Sequence, residues 1–297
     1  FAPLTMADQQ TDFSQNTVIS QKLPWPGKRR LRGEAAAFDA EAANENIGTL
    51  RLQLTAIAKT LFADWYYIHQ ALEVNEINRR LLTEFHDIAL DHYATGLASK
   101  QDVLRAEVEI ALLDHQKITL QKNKRTLQAR LNTLLNRLPE SPLPAPSKPV
   151  TELLLPKPAA LQAIALQSRP ELRELAARIK ASKTRSDLAE QDFYPDFKVS
   201  AGYNNFWRQD AQRFIVGVEM NLPLDQDKRR AAENEAHAHI KQAEWRHIDR
   251  IAQIREEVQV AYELTVESLH VYRLYQDKLL PLADENLKAA LADYRSG

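Results

Sequence analysis

The sequence predicts a mainly α-helical protein with a small β part, built from long antiparallel helical hairpins in two tandem structural repeats. Three observations predict it. Glycine is scarce, with seven in 297 residues, which disfavours a loop-rich or all-β chain. Residues 31–93 and 227–294 read as helices far longer than a globular domain uses. Between them lie two short segments with strict period-two alternation, the mark of strands with one apolar face.

Residues 1–13 are irregular and are expected to hold the end of an upstream strand, since the chain starts at Phe1 without a leader and its true N-terminus is expected further upstream. Residues 16–23 read as a strand, stopped by Pro24, Pro26 and Gly27. Residues 31–93 contain no proline, and Ala35, Ala36, Ala37, Ala40, Ala42 and Ala43 keep the first turns small-sided. At 1.5 Å per residue this rod is roughly 95 Å long, the length of a coiled coil or a tunnel wall. Tyr93-Ala94-Thr95-Gly96 breaks it. A second helix follows over 100–138, with a seam of Val103, Ala106, Ile110, Leu113, Leu120, Leu127, Leu131 and Leu134, interrupted by Lys117 and Lys124. That 3.5-residue period signals extended helix-on-helix packing, and the short turn makes the pair an antiparallel hairpin.

Residues 139–158 form a proline-rich connector. A short helix follows, then one that opens on Pro170, where the missing N–H costs nothing, and stops near residue 193 before Pro195. In 197–203 the residues Phe197, Val199, Ala201 and Tyr203 share a face opposite Lys198, Ser200 and Gly202. In 213–222 Phe214, Val216, Val218, Met220 and Leu222 oppose Arg213, Gly217, Glu219 and Asn221, with Ile215 the exception. A turn near 208–212 makes these a hairpin. A lone hairpin is unstable in water, so it needs a sheet partner or a lipid-facing barrel. The last helix, 227–294, carries Ile251, Ile254, Val258, Ala261, Tyr272, Tyr275, Leu279 and Leu282 at three/four spacing, and Pro281 is expected to bend it.

The two halves repeat. Strand, Leu23-Pro24, Lys28-Arg29-Arg30, Ala-rich helix and Tyr93-x-x-Gly96 match strand, Leu222-Pro223, Lys228-Arg229-Arg230, Ala-rich helix and Tyr294-x-x-Gly297. Pro24 to Gly96 spans 72 positions and Pro223 to Gly297 spans 74. The organisation is therefore a first repeat over 1–138, a connector over 139–169 and a second repeat over 170–297, cut at its tip. A returning helix equivalent to 100–138 is expected after Gly297. The 100–138 and 170–193 helices, stacked end to end, would match the length of 31–93, as a wall of long helices and stacked shorter pairs requires.

Composition excludes several classes. A formal net charge of -1 and a pI near 6.8 do not fit a nucleic-acid binder. There is no cysteine for disulfides or thiolate metal sites. Mean hydropathy is -0.46, and no apolar run reaches the roughly 18 residues of a membrane-spanning helix. A β-barrel escapes that test because its strands alternate. No residue set assembles a nucleophile, base and oxyanion site, and no cofactor motif is present. His237 and His239, two apart, and His86 and His92, six apart, do not share helical faces. Met6 and Met220 are the only methionines, so no soft-metal ladder exists. No metal site is expected.

Four motifs carry a family resemblance: Tyr93-x-x-Gly96 leading to Asp102-Val103-Leu104; Ser168-Arg169-Pro170-Glu171-Leu172; Phe193-Tyr194-Pro195 entering a strand; and Leu222-Pro223 followed by Arg229-Arg230. In this order and spacing the chain resembles the TolC-like outer-membrane efflux proteins over essentially its whole length. The stretch from Ser20 to Lys28 resembles the subgroup that works with heavy-metal cation pumps.

The resemblance implies a homotrimer in which four strands per protomer close a twelve-stranded outer-membrane barrel and the helices form a periplasmic α-barrel tunnel. Only three strands are legible here, so the fourth is expected upstream of Phe1. Phe197, Val199, Phe214, Val216, Val218 and Met220 would face lipid, while Lys198, Asn204, Glu219 and Asn221 would face water. The tunnel would taper to a periplasmic tip formed by Tyr93, Gly96, Gln101, Asp102, Tyr294 and Gly297. Three Asp102 carboxylates in a ring would attract cations; a plainer reading gives Asp102 the first turn of its helix. Tyr294 matches a tyrosine that latches the second tip. Lys28, Arg29, Arg30, Lys228, Arg229 and Arg230 would anchor at the periplasmic lipid interface, or else simply solvate helix starts.

The implied function is a passive outer-membrane conduit for small molecules or metal ions. An inner-membrane transporter would drive it through a periplasmic adaptor docked at the tips. A periplasmic adaptor is the main rival, but it normally carries one hairpin flanked by glycine-rich β-domains. A coiled-coil scaffold would not explain the alternating strands, and an enzyme is the weakest reading.

Overall fold

The computed structural model describes residues 15–148, 154–205 and 214–296. The expected upstream strand end, the hairpin turn at 208–212, Arg213 and Gly297 lie outside the described residues. The described chain runs β1 (Gln15–Leu23), α1 (Lys28–Ala94), α2 (Lys100–Leu134), α3 (Pro158–Ser168), α4 (Pro170–Gln191), β2 (Asp196–Asn205), β3 (Phe214–Asn221), α5 (Gln226–Leu274), a π-helical turn (Tyr275–Leu279) and α6 (Leu280–Ser296). It is the mainly helical architecture with a small antiparallel sheet that the sequence predicts. No described helix is long and apolar enough to cross a membrane.

Local chemistry sets the helix ends. α1 starts three residues before the expected position, because Gly27 takes φ +99 and its carbonyl accepts from Leu31 N–H at 2.9 Å. At the other end Gly96 takes φ +76, and Leu97 N–H reaches back to the His92 carbonyl at 2.8 Å. This left-handed cap closes the last turn, and glycine bears it without Cβ strain. α2 ends at Leu134 rather than 138. Asn136 takes φ 53 and Arg137 N–H bonds the Asn132 carbonyl at 2.8 Å. A left-handed Asn followed by Pro139 terminates a helix as glycine does.

The chain packs as two compact units, Phe1–Ile47 with Arg169–Gln253, and Gly48–Ser168 with Ile254–Gly297. Each unit takes residues from both sequence repeats.

In the first unit α4 runs antiparallel to the start of α1 and to the first part of α5. Asp39 meets Arg185, and Arg173 meets Glu45 at 2.9 Å; Lys183 meets Glu244 at 3.3 Å and Arg250 meets Glu171 at 3.1 Å. The core is small-sided: Leu31, Ala35, Ala42, Leu172, Ala177 and Ala181 are buried, which lets the helix backbones approach closely. Burial works to raise the Glu171 carboxyl, but hydrogen bonds from Arg250 and Arg169, with their charges, outweigh it and hold it below the usual carboxylate range. The sheet belongs to this unit, in the order β1-β2-β3, antiparallel throughout.

In the second unit the α1–α2 hairpin is pinned along its length. Lys117 bonds Glu76 at 2.8 Å, Arg79 bonds Asp114 at 2.7 Å, and His86 faces Glu107 at 3.5 Å. Buried Asn75 donates to the Leu113 carbonyl at 3.1 Å. The α2 seam is the protected face as the spacing predicts, and its two lysines are accommodated in it: Lys117 through Glu76, and Lys124 over the Trp65 ring at 5.7 Å. Trp65 also donates to the Pro144 carbonyl at 3.1 Å. Fully buried Asn132 donates to the Pro139 and Ser141 carbonyls at 2.9 and 2.8 Å. The proline-rich connector is thus tied back onto its own hairpin.

Two features of the last helix differ from the expected seam. Ile254 is buried and Ile251 and Val258 are half-buried, but Ala261, Tyr272, Tyr275, Leu279 and Leu282 are exposed. The protected stripe passes through Tyr262, Thr265 and Leu269 and ends there, because residues 270–290 are exposed all round with no described element packed on them. Pro281 acts through the π turn just before it, where Leu280 N–H bonds the Tyr275 carbonyl. The widened turn absorbs the bond that a proline cannot donate.

Candidate functional site

Three surfaces carry the functional reading: one face of the sheet, the hairpin tip, and the basic residues beneath the sheet.

The strand register decides the first. Leu23, Phe197 and Met220 form one cross-strand row; Gln21, Val199 and Val218 the next; then Ile19, Ala201 and Val216; then Thr17, Tyr203 and Phe214. The apolar residues of all three strands therefore share a face. Phe214, Val216 and Val218 are 79%, 78% and 70% exposed, so no described element of the chain covers them. The opposite face is polar: Lys22, Lys198 and Glu219 share a row, and Lys198 pairs with Glu219 at 3.2 Å. Ile215 and Val18 are the apolar exceptions there, both exposed. Where the strands meet the helices, Trp25 stacks on Tyr194 at 5.0 Å and on Phe197 at 6.4 Å. Rings of this kind suit a membrane–water boundary.

At the tip, Tyr93, Gly96 and Gln101 are exposed. The Asp102 carboxylate accepts from the Ser99 N–H at 3.1 Å and from its hydroxyl at 2.8 Å, a capping arrangement for α2. A cavity of about 800 Å³ is lined by His92, Gly96, Leu97, Ser99 and Asp102 together with Ala290 and Asp293 of α6. The second unit thus brings the first tip beside the end of α6, where Tyr294 lies. Asp293 and His92 escape a sequence reading centred on the tyrosines. The repeat itself pairs them, as the residues before Tyr294 and Tyr93.

The six basic residues part company. Lys28 is 2% exposed; its ammonium bonds Asp196 at 2.9 Å and Asp192 at 3.1 Å and donates to the Tyr194 carbonyl at 3.3 Å. It is a buried internal cation and does not reach a lipid headgroup. Arg229 is half-buried and donates to the Asp192 carbonyl, so this aspartate joins the basic clusters of both repeats. Arg30 is exposed and pairs with Glu34 at 2.7 Å. Arg29, Lys228 and Arg230 are exposed, and Lys228 N–H donates to the capping carboxylate of Asp225 at 3.1 Å.

Among the described residues one trio of metal-type donors converges, Glu190 of α4 with Glu233 and His237 of α5. Pairing histidines alone does not find it, because the ligands come from two helices.

Residues 161–297 match the family model described as outer membrane efflux protein. The whole chain superposes on the outer membrane protein VceC from Vibrio cholerae with a TM-score of 0.77 at 16% identity, covering 97% of this chain and 77% of that one. It superposes on CusC with a TM-score of 0.76 at 17% identity, covering 96% and 68%. Toxin and drug export protein A from Aggregatibacter actinomycetemcomitans is 20% identical over 201 residues, which is 64% of this chain and 43% of that protein. The chain thus spans less than half the length of this curated relative. The sequence match thus covers residues 161–297, and the likeness to the solved structures is one of fold.

Proposed function

We propose that the protein is the outer-membrane duct of a tripartite efflux system, a passive and non-enzymatic conduit for small molecules or metal ions. The observation that carries this reading is the open apolar face of the sheet, led by Phe214, Val216 and Val218. A sheet with one bare apolar face and free edges marks a surface that is covered and paired in the working state. In lipid only a closed barrel satisfies every backbone polar group. Strands from three protomers, with more strand than is described here, close such a barrel.

In this reading the protein is a homotrimer in the outer membrane of a Gram-negative-type envelope. Phe197, Val199, Phe214, Val216, Val218 and Met220 meet lipid. The helices stand in the periplasm with each repeat ending at its own tip. A periplasmic adaptor docks at Tyr93, Gly96, Tyr294 and Gly297, and an inner-membrane transporter supplies the energy. Gln101 and Asp102 border the aperture. Arg29, Arg30, Lys228 and Arg230 meet lipid headgroups, a role their exposure supports. The likeness of residues 20–28 to the heavy-metal subgroup favours cations as cargo.

The test is oligomer mass in detergent and conductance in planar bilayers of the full-length protein. A trimer with a discrete conductance is the expected result. A detergent-independent monomer that never conducts would return the adaptor reading to the front.

A further inference from the structure

We propose that Glu190, Glu233 and His237 form a binding site for a transition-metal dication of the zinc class. Glu190 lies in the last turn of α4, and Glu233 and His237 stand one turn apart on α5. The two helices are fixed against each other by Lys183–Glu244 and Arg250–Glu171. One imidazole nitrogen and two carboxylate oxygens lie within 4.8 Å of one another.

Three features separate this trio from an ordinary surface cluster. First, His237 Nε2 stands 3.8 Å from the Glu233 carboxylate, beyond hydrogen-bond reach but close to the separation that two ligands of one ion take. Ligands at about 2.1 Å from a tetrahedral ion lie about 3.4 Å apart, so small rotamer changes of two glutamates would close the shell. Second, the other ring nitrogen, Nδ1, lies 3.5 Å from the Ser186 hydroxyl, and Ser186 is 3% exposed. A histidine whose far nitrogen is held by a fixed partner presents its near nitrogen as a lone pair, the usual outer-shell arrangement of a ligating imidazole. Third, the charges are unbalanced. Asp39, Glu41, Glu45, Glu171 and Glu244 in the same unit each face an arginine or lysine. Among the described residues Glu190 and Glu233 have no such partner, and His237 is the one base beside them. Two carboxylates and a neutral imidazole match a dication in charge, and one nitrogen with two oxygens suits zinc, cobalt or copper better than calcium or magnesium. Three protein ligands leave a coordination position for water or an exchanging ligand. Bound there, the ion would tie the end of α4 to α5 just before the chain enters the sheet.

The site stands independently of the efflux reading. Its test uses full-length protein in detergent, stripped of metal, titrated with Zn²⁺ against a chromophoric chelator and with Co²⁺ by visible absorption. The expected result is one ion per chain. His237→Ala and Glu233→Gln should each weaken binding by more than tenfold, and Ser186→Ala by about tenfold without abolishing it. Zn²⁺ should also protect His237 of the unaltered protein from diethylpyrocarbonate, a readout that needs no variant. Absence of stoichiometric binding, binding unchanged in His237→Ala, or no protection of His237 would each overturn the proposal.

Discussion

The Lys28 ammonium lies 2.9 Å from the Asp196 carboxylate, joining the first residue of α1 to the first residue of β2 across 168 positions of sequence. Asp196 also accepts from the Trp25 N–H at 2.9 Å. One aspartate therefore fixes both the turn that starts the long helix and the strand that crosses β1.

Replacing Lys28 with Met should leave two carboxylates facing an apolar stem and cost about 2 kcal/mol, read as a lowered thermal midpoint of the full-length protein. Lys228→Met at the equivalent place in the second repeat should stay within about 0.5 kcal/mol, because its side chain is exposed. Equal losses at both positions would show that the buried pairing is not what matters.

Gly96 and Gly33 should respond in opposite directions to alanine. A Cβ at either position meets nothing within 4 Å, so neither substitution clashes. Gly96 sits at φ +76, where alanine is strained by about 1 kcal/mol. Gly33 is inside α1, where alanine should stabilise by roughly 0.5–1 kcal/mol. Paired melting curves check the sign of each.

Acid should weaken the protein in two windows. Burial, and then the Lys124 charge, lower the His69 pKa from 6.5. Above that value His69 is neutral in both states; as pH falls below it the unfolded chain takes a proton that the folded one resists, and stability drops. The Glu171 carboxyl is held below its ordinary 4.5. Its contribution is full above that pH and is lost as pH falls through the folded value. His69→Phe should remove the upper step and Glu171→Gln the lower one, in denaturant titrations between pH 7 and pH 3.

Asp102→Asn separates capping from conduction. The amide oxygen can still accept from Ser99 N–H, so the α2 start should hold to within about 0.5 kcal/mol. The cation preference of the conductance should fall, since the charge is gone. An unchanged ion preference would confine Asp102 to its helix-capping role.

Val216→Arg places a charge on the apolar strand face, at a cost of about 2–4 kcal/mol if that residue lies at mid-bilayer. Membrane-inserted trimer should be depleted in cell fractionation. Asn221→Ser on the polar face is the control, and equal recovery of both would count against the lipid assignment.

Much of this was written in local patterns. Period-two alternation is a property of the strand backbone itself, so Phe197, Val199, Phe214, Val216, Val218 and Met220 could be assigned to one face before any sheet existed. The α2 seam, the Gly96 turn and the repeat of Pro24 and Lys28 at Pro223 and Lys228 are equally local, and spacing alone reveals them. Tertiary structure decided what depends on distant partners. Lys28 and Lys228 occupy the same place in the repeat, yet only Lys28 meets Asp192 and Asp196 and is buried. Tyr272 and Leu279 keep the right spacing but are exposed, because no described element packs on residues 270–290. Glu190 stands 47 positions from His237, and only the antiparallel packing of α4 on α5 brings their donor atoms together. A sequence displays periodicity along one element; charge pairing, burial and ligand convergence are set by which elements meet.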